Sequence, residues 1–358
     1  MQPTSANRSP VPHLLSLATA VPKHVLGQDN VSEAARLVLA RISDLERMVA
    51  VFGNAGIERR YSTVPVEWYQ RSHGWTDRNN LYLEHALALI EEATRQALTE
   101  AGLQPEDIDQ VVAVSTTGIA TPSLDALLLN RLPLRSDVRR LPVFGLGCAG
   151  GVLGLARAAD LARAAPKSRV LFLVVELCAL CFRHGDFTKS NLVATALFGD
   201  GATAAVISCE VSNPQKSYPA LSHGGEFTWP QSLDIMGWDV ADDGLKAIFS
   251  RDIPTLVQRD LREATENFLR RHNLTVGDID YFVCHPGGAK VLDALEEAFD
   301  LAPGTLGNAR ATLRDYGNMS AATVLFVLKR MLQSGARGRM LMTALGPGFT
   351  AGFQLIET

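Results

Sequence analysis

The sequence has no cluster of lysine or arginine: 34 basic side chains stand against 38 acidic ones, and the net charge is −4. That balance argues against nucleic acid and anionic membrane surfaces as partners. No apolar run approaches a membrane span; VLFLVV at 170–175 has the length of a buried strand. The polar start MQPTSANRSPVP reads as a loose tail, and the HLLSLATAVP behind it is too short for a signal peptide. Cysteine is scarce and odd in number, five in all, which suits reduced thiols in the cytoplasm rather than a disulfide framework. Cys178 and Cys181 form a C-x-x-C, but no second ligand pair follows and no metal site is expected. Low-complexity segments are also missing. What remains is an ordinary globular composition, 47% apolar and 20% charged over 358 residues, long enough for two domains or one double-sized architecture.

Strand-like and helix-like segments alternate from end to end, the pattern of an α/β fold. Residues 84–102 have helical spacing and end at a glycine suited to a C-cap. DIDQVVAVSTTG (107–118) runs through an apolar strand into a Thr-Thr-Gly turn, and LPVFGLG leads into Cys148. The stretch 150–165 is almost wholly small or apolar, a helix to be buried all round. Residues 168–176 read as a central strand. The weakly apolar stretch 209–225 is the candidate connection, which divides the chain into halves 1–215 and 216–358. Beyond it, 253–271, 289–300 and 320–335 read as helices, and 278–284 as a strand. The triplet DID precedes a strand at both 107 and 278, a hint that the halves share a fold.

Three residues stand at junctions where chemistry gathers. Cys148 lies among glycines at the start of a helix, where unpaired N–H groups and the macrodipole favour a thiolate; such a thiol should alkylate readily at neutral pH. Most free cysteines are structural, and only the glycine setting sets this one apart. His285, in VCHPGGAK, follows a strand and precedes a Pro-Gly-Gly turn; a turn histidine is the plainer reading. Asn318, in RDYGNMSAATVLFVL, precedes a buried helix, where an N-cap is its plainer role. Together, a cysteine acyl carrier, a histidine base and an amide donor form a recurring arrangement.

The motifs GCAGG around Cys148, LFGDGA at 197–202, HPGG at 285–288, YGNMS at 316–320 and GPG at 346–348 resemble those of the type III polyketide synthases. These are the chalcone and stilbene synthase family within the thiolase superfamily. The resemblance spans most of the chain and keeps the family's order. It implies a five-layered αβαβα thiolase fold built from two similar halves, a homodimer, and Cys148, His285 and Asn318 as the catalytic triad. It also implies malonyl-CoA as extender, an acyl-CoA or acyl-carrier-protein starter, and no metal or other cofactor. A Cys148 thiolate paired with a His285 imidazolium would take up the acyl group. His285 and Asn318 would then donate to the enolate left by decarboxylation.

The same resemblance places further residues. Phe198 matches a gatekeeper phenylalanine and Ala247 falls at the second gatekeeper, where alanine would widen the passage for a long chain. Cys178 and Cys181 stand where the family has pocket threonines, and Ala194 and Trp238 where it has pocket glycines. Thr116, Thr117, Ser320 and Pro347 complete the expected pocket, and Thr121 stands where plant members reach across the dimer. Of the basic CoA contacts only Arg47 is matched, with Ala50 and Asn54 at the neighbouring positions; Arg59 and Arg60 could compensate. These departures resemble bacterial alkylresorcinol and alkylpyrone synthases, so the expected reaction is iterative condensation onto a long-chain acyl starter followed by cyclisation. A single-step ketoacyl-ACP synthase III is the nearest alternative, although its HQAN-type motif is replaced here by HPGG. A papain-like hydrolase and an inactive scaffold rank below it. The aromatic segment WYQRSHGW (68–75) has no assigned role.

Overall fold

The computed structural model describes residues 10–38, 45–211, 213 and 215–358, with the side chains of 45–48 outside that description. In chain order the strands are β1 (His13–Ala20), β2 (His24–Gly27), β3 (Arg59–Ser62), β4 (Gln110–Val114), β5 (Arg139–Val143), β6 (Arg169–Leu177) and β7 (Asp200–Ser208). The second half adds β8 (Ala220–Thr228), β9 (Met236–Ala241), β10 (Gly244–Phe249), β11 (Tyr281–Cys284), β12 (Arg339–Gly346) and β13 (Thr350–Glu357). Strand β8 begins inside the stretch expected to be a connection, because pairing with β13 orders a polar, glycine-rich sequence that has little strand propensity of its own.

Nine strands are joined in the order β11-β12-β13-β8-β1-β7-β6-β4-β5. Two groups meet at the single pair His13 and Ala220. Each group repeats one pattern: β1–β7 and β7–β6 are antiparallel and β6–β4 parallel, as β8–β13 and β13–β12 are antiparallel and β12–β11 parallel. Helices Gly150–Ala164 and Thr323–Gln333 lie between the two groups and touch strands of both. Trp75–Ala101 covers one outer face and Arg262–Arg270 the other, which completes the five layers.

The DID triplets do the same work twice. Asp107 and Asp278 each accept the backbone N–H three residues back at 2.8 Å, closing a capping box on a short 3₁₀ turn. Asp109 and Asp280 each accept the first N–H of the neighbouring parallel strand, at 2.8 Å from Arg169 and 2.7 Å from Arg339.

Helix Trp75–Ala101 starts nine residues before the expected point, since its polar first turns carry no apolar period to read. Its end is as expected, at Gly102 with φ +69°. Helix Gly150–Ala164 is buried through Ala156, but Arg157 and Asp160 reach solvent, so its burial all round holds only for the first half. That first half sits against its partner helix with no space to spare. A Cβ on Gly151 would collide with the Ala321 carbonyl, so only glycine lets the two helices meet there.

Candidate active site

Cys148 sits on a 3₁₀ turn, Gly147–Ala149, that links the end of β5 to helix Gly150–Ala164. Gly147 takes φ +49° and a Cβ there would lie 2.6 Å from Pro347 Cδ. Pro347 is therefore the clamp behind the nucleophile's turn. The thiol is buried, and that burial pushes it up to about 12, with the Glu176 carboxylate adding to the rise. Hydrogen bonds involving Ser320 and Asn318 act in the opposite direction.

His285 follows β11, its backbone N–H donating to the Thr343 carbonyl at 2.9 Å. The ring is buried, neither nitrogen has a hydrogen-bond partner, and desolvation lowers its pKa to about 3. Burial therefore disfavours the charged form of each group taken singly, against the expected thiolate–imidazolium pair.

Asn318 is fixed by backbone and side chain alike. Its N–H donates to the Leu197 carbonyl at 2.8 Å and its carbonyl accepts from Gly199 at 3.0 Å, so LFGDGA is the clasp that holds YGNMS. The side-chain amide donates to the Gly287 carbonyl at 3.3 Å, and Oδ1 accepts from the Ser320 N–H at 2.8 Å. Cys148, His285 and Asn318 come together on one cavity of about 690 Å³.

The family description for the N-terminal domain of chalcone and stilbene synthases matches residues 4–211, and that for the C-terminal domain matches 224–356. The chain belongs to the chalcone and stilbene synthase family. It is 40% identical over 94% of its length to a putative chalcone synthase of Bacillus subtilis, covering 96% of that protein. A 1,3,6,8-tetrahydroxynaphthalene synthase of Streptomyces peucetius is 38% identical over 95% of this chain and 91% of that protein. The crystal structure of the Streptomyces coelicolor tetrahydroxynaphthalene synthase superposes with a TM-score of 0.91 at 30% identity, covering 96% of this chain and 99% of that one. This type III polyketide synthase is an acyl-condensing transferase with the thiolase fold.

The rim of the synthase's cavity departs from expectation. Ala50 and Asn54 line it, while the Arg47 side chain lies outside the described residues. Arg59 faces solvent and pairs with Asp315 at 3.7 Å. Arg60 is only 2% exposed; its guanidinium donates to the carbonyls of Thr195, Ala196 and Phe198 and to the Gln28 side chain. It is a structural brace and cannot reach a phosphate. The cations that do line the cavity are Lys189, Arg251 and Lys290, each exposed and in no ion pair among the described residues. They went unnoticed because they sit on three separated elements, one cation each, with no cluster in the sequence.

None of the ten residues expected in the pocket lines that cavity, although Ser320 lies in hydrogen-bond contact with the Cys148 thiol. Phe198 rests against Trp238 and Phe249, with ring centroids 6.1 and 5.7 Å apart, and Cys178, Ala194 and Ala247 complete the same buried cluster. Ala247 pairs with Trp238 across the β9–β10 ladder. The indole thus occupies space that an alanine at the second gatekeeper was expected to free. Beyond this wall lies a second, apolar chamber of about 50 Å³, with Cys178, Ala194 and Phe198 on its near side. Thr117 and Cys181 border a third space of about 10 Å³ with Trp75 and Arg78.

Glu176 is the residue sequence reasoning missed. Its Oε2 accepts from the Thr116 N–H and the Thr117 hydroxyl, both at 2.9 Å. Burial raises its pKa to about 7, and its charge is felt at Cys148 and Cys178. A glutamate ending the strand VLFLVVE was the available signal.

Proposed function

We propose that this synthase loads an acyl group on Cys148 and extends it repeatedly with malonyl-CoA. The observation that carries the reading is the meeting of Cys148, His285 and Asn318 on one cavity whose wall also holds three cations that are in no ion pair among the described residues. Lys189, Arg251 and Lys290 suit the phosphates of a CoA or phosphopantetheine thioester, with the acyl end directed to Cys148.

Neutral His285 takes the thiol proton at Nε2 as Cys148 attacks the thioester carbonyl, and CoA leaves as a thiolate that is protonated from solvent. Malonyl-CoA then loses carbon dioxide. The enolate oxygen accepts hydrogen bonds from His285 Nε2–H and the Asn318 amide, an effect of about 3 kcal/mol per donor. The enolate carbon attacks the Cys148 thioester, the two-carbon-longer chain departs on CoA, the expelled Cys148 thiolate takes back the proton held on His285 Nε2, and reloading on Cys148 repeats the cycle. These steps balance without metal or redox cofactor.

The finer reading is a long-chain acyl starter, two or three extensions, and closure to an alkylpyrone or alkylresorcinol. The predominantly apolar cavity and the apolar chamber behind it support it. A homodimer formed at the open β5 edge is part of the same proposal: Leu141 and Phe144 leave an apolar surface exposed there, and Ile119 lies nearby in sequence to the strand that pairs with it. Cytoplasmic residence goes with it, since the buried cysteines are free.

The test is mass spectrometry of products from purified protein, malonyl-CoA and a ladder of acyl-CoA starters, with Cys148→Ala alongside. Tri- or tetraketide products from long starters, absent in the variant, are expected. Tetrahydroxynaphthalene or a phloroglucinol, the products that relatives' names carry, would replace the finer reading and leave the iterative mechanism standing. A single two-carbon addition would remove both.

A further inference from the structure

Arg78 is a buried cation with no task in the mechanism. It stands at the start of helix Trp75–Ala101, is only 5% exposed, and its Nε and Nη1 meet no acceptor among the described residues. The carboxylate that acts on it, Asp243, is already engaged in an ion pair with Arg183. The Nε and Nη1 of Arg183 are unmet as well, so two guanidiniums share one acid. Burial lowers the Arg78 pKa, and the Arg183 charge lowers it further. A charge taken out of water is costly unless it is paired, and this one lacks its pair.

Arg78 faces the space of about 10 Å³ described above, whose apolar walls are Trp75, Leu180 and Leu245. The other polar groups on that space are spent. The Asn79 amide exchanges hydrogen bonds with the Ile119 backbone at 2.8 and 2.9 Å. The Thr117 hydroxyl donates to Glu176, and the Cys181 thiol donates to the Thr117 carbonyl at 4.0 Å. Gly244 brings the β9–β10 turn close: a Cβ there would lie 3.0 Å from the Trp75 ring and 3.9 Å from Arg78 Nη1. The helix begins at Gly74 without a side-chain cap, which leaves its positive end open to an anion. A water molecule could accept from Arg78, but only an anion both accepts and neutralises. The volume admits one guest of about the size of a water, too little for a carboxylate or a phosphate.

We propose that this space is a halide site, in which a single chloride lies against the Arg78 guanidinium and ties the start of helix Trp75–Ala101 to the β9–β10 hairpin. The site stands apart from the catalytic cavity and holds whichever starter the enzyme uses. It gives Trp75, the last residue of WYQRSHGW, a task as its wall.

The test holds the full-length enzyme at constant ionic strength in sodium gluconate, an anion too large for the space, while sodium chloride replaces it. The thermal midpoint should climb and then level off, by about 2–4 °C at ten times the half-saturating concentration. Arg78→Met should abolish the climb. Crystals of the wild-type enzyme soaked in sodium bromide give a second reading that needs no variant, and an anomalous peak against Arg78 Nη1 and Trp75 is expected. A midpoint that never saturates, or that climbs equally in Arg78→Met, reflects salt acting on the whole surface and overturns the site. A bromide peak with no midpoint response is an adventitious ion only and overturns it too. So does a crystal with no peak there, or with a carboxylate of a second copy seated against Arg78.

Discussion

The Asn318 amide donates to the Gly287 carbonyl across 3.3 Å, tying the loop after β11 to the loop before helix Thr323–Gln333. One N–H of that amide is thereby spent on orientation, and the other remains for an oxyanion. Asn318→Ala should lower malonyl-CoA decarboxylation by about 10²–10³-fold, the range for deleting one preorganised donor. Release of carbon dioxide, followed together with the thermal midpoint, is the check. A small loss in rate with a large drop in midpoint would assign Asn318 to structure alone.

Because burial pushes the Cys148 thiol up to about 12, its alkylation should have no plateau near neutrality. Iodoacetamide labelling of the free enzyme is expected to climb about tenfold per pH unit between 6 and 9, tracking the thiolate fraction. A rate already level at pH 6 would restore the thiolate–imidazolium pair.

Glu176 titrates against stability. Its folded pKa of about 7 lies above the ordinary 4.5, so its contribution is full below 4.5 and is lost as pH rises through 7. That displacement is worth on the order of 3 kcal/mol. Wild type should therefore lose stability relative to Glu176→Gln between pH 4.5 and 7, as measured by urea unfolding at several pH values. A difference between the two proteins that does not vary with pH would contradict the assignment.

Lys290 and Arg60 should separate binding from architecture. Lys290→Ala is expected to raise KM for malonyl-CoA about three- to tenfold at low salt, and less at high salt, as suits an exposed cation. Arg60→Ala takes the guanidinium donors from the carbonyls of Thr195, Ala196 and Phe198, of which Ala196 keeps a second donor in the Gln28 amide, at a loss of about 3 kcal/mol in stability. If Arg60→Ala changes only KM, the brace reading is wrong.

Much of this was legible in the sequence for a physical reason. Continuous apolar runs such as VLFLVV can only be central strands, and the two DID triplets report one hydrogen-bonding device used twice. Gly147, Gly151 and Gly317 mark backbone that no other residue fits, and each lies within three residues of Cys148 or Asn318. Side-chain destinations were not legible in that way. Nothing in IERRY distinguishes Arg59, which reaches solvent, from Arg60, which does not; strand alternation in β3 decides it. Nor could an alanine at 247 disclose that Trp238, nine positions earlier and directly across a hairpin, would claim the vacated space.

The meeting of Gly151 with the Ala321 carbonyl has a consequence for how this enzyme can change. The nucleophile is carried by the turn that leads into one of those helices and its amide partner by the approach to the other, and at that crossing the backbones touch. Distance between the reacting groups is thus set by main chain, which side-chain substitution elsewhere hardly moves. Pocket walls and rim cations are free to be exchanged for a new substrate while the bond-forming geometry stays where it is.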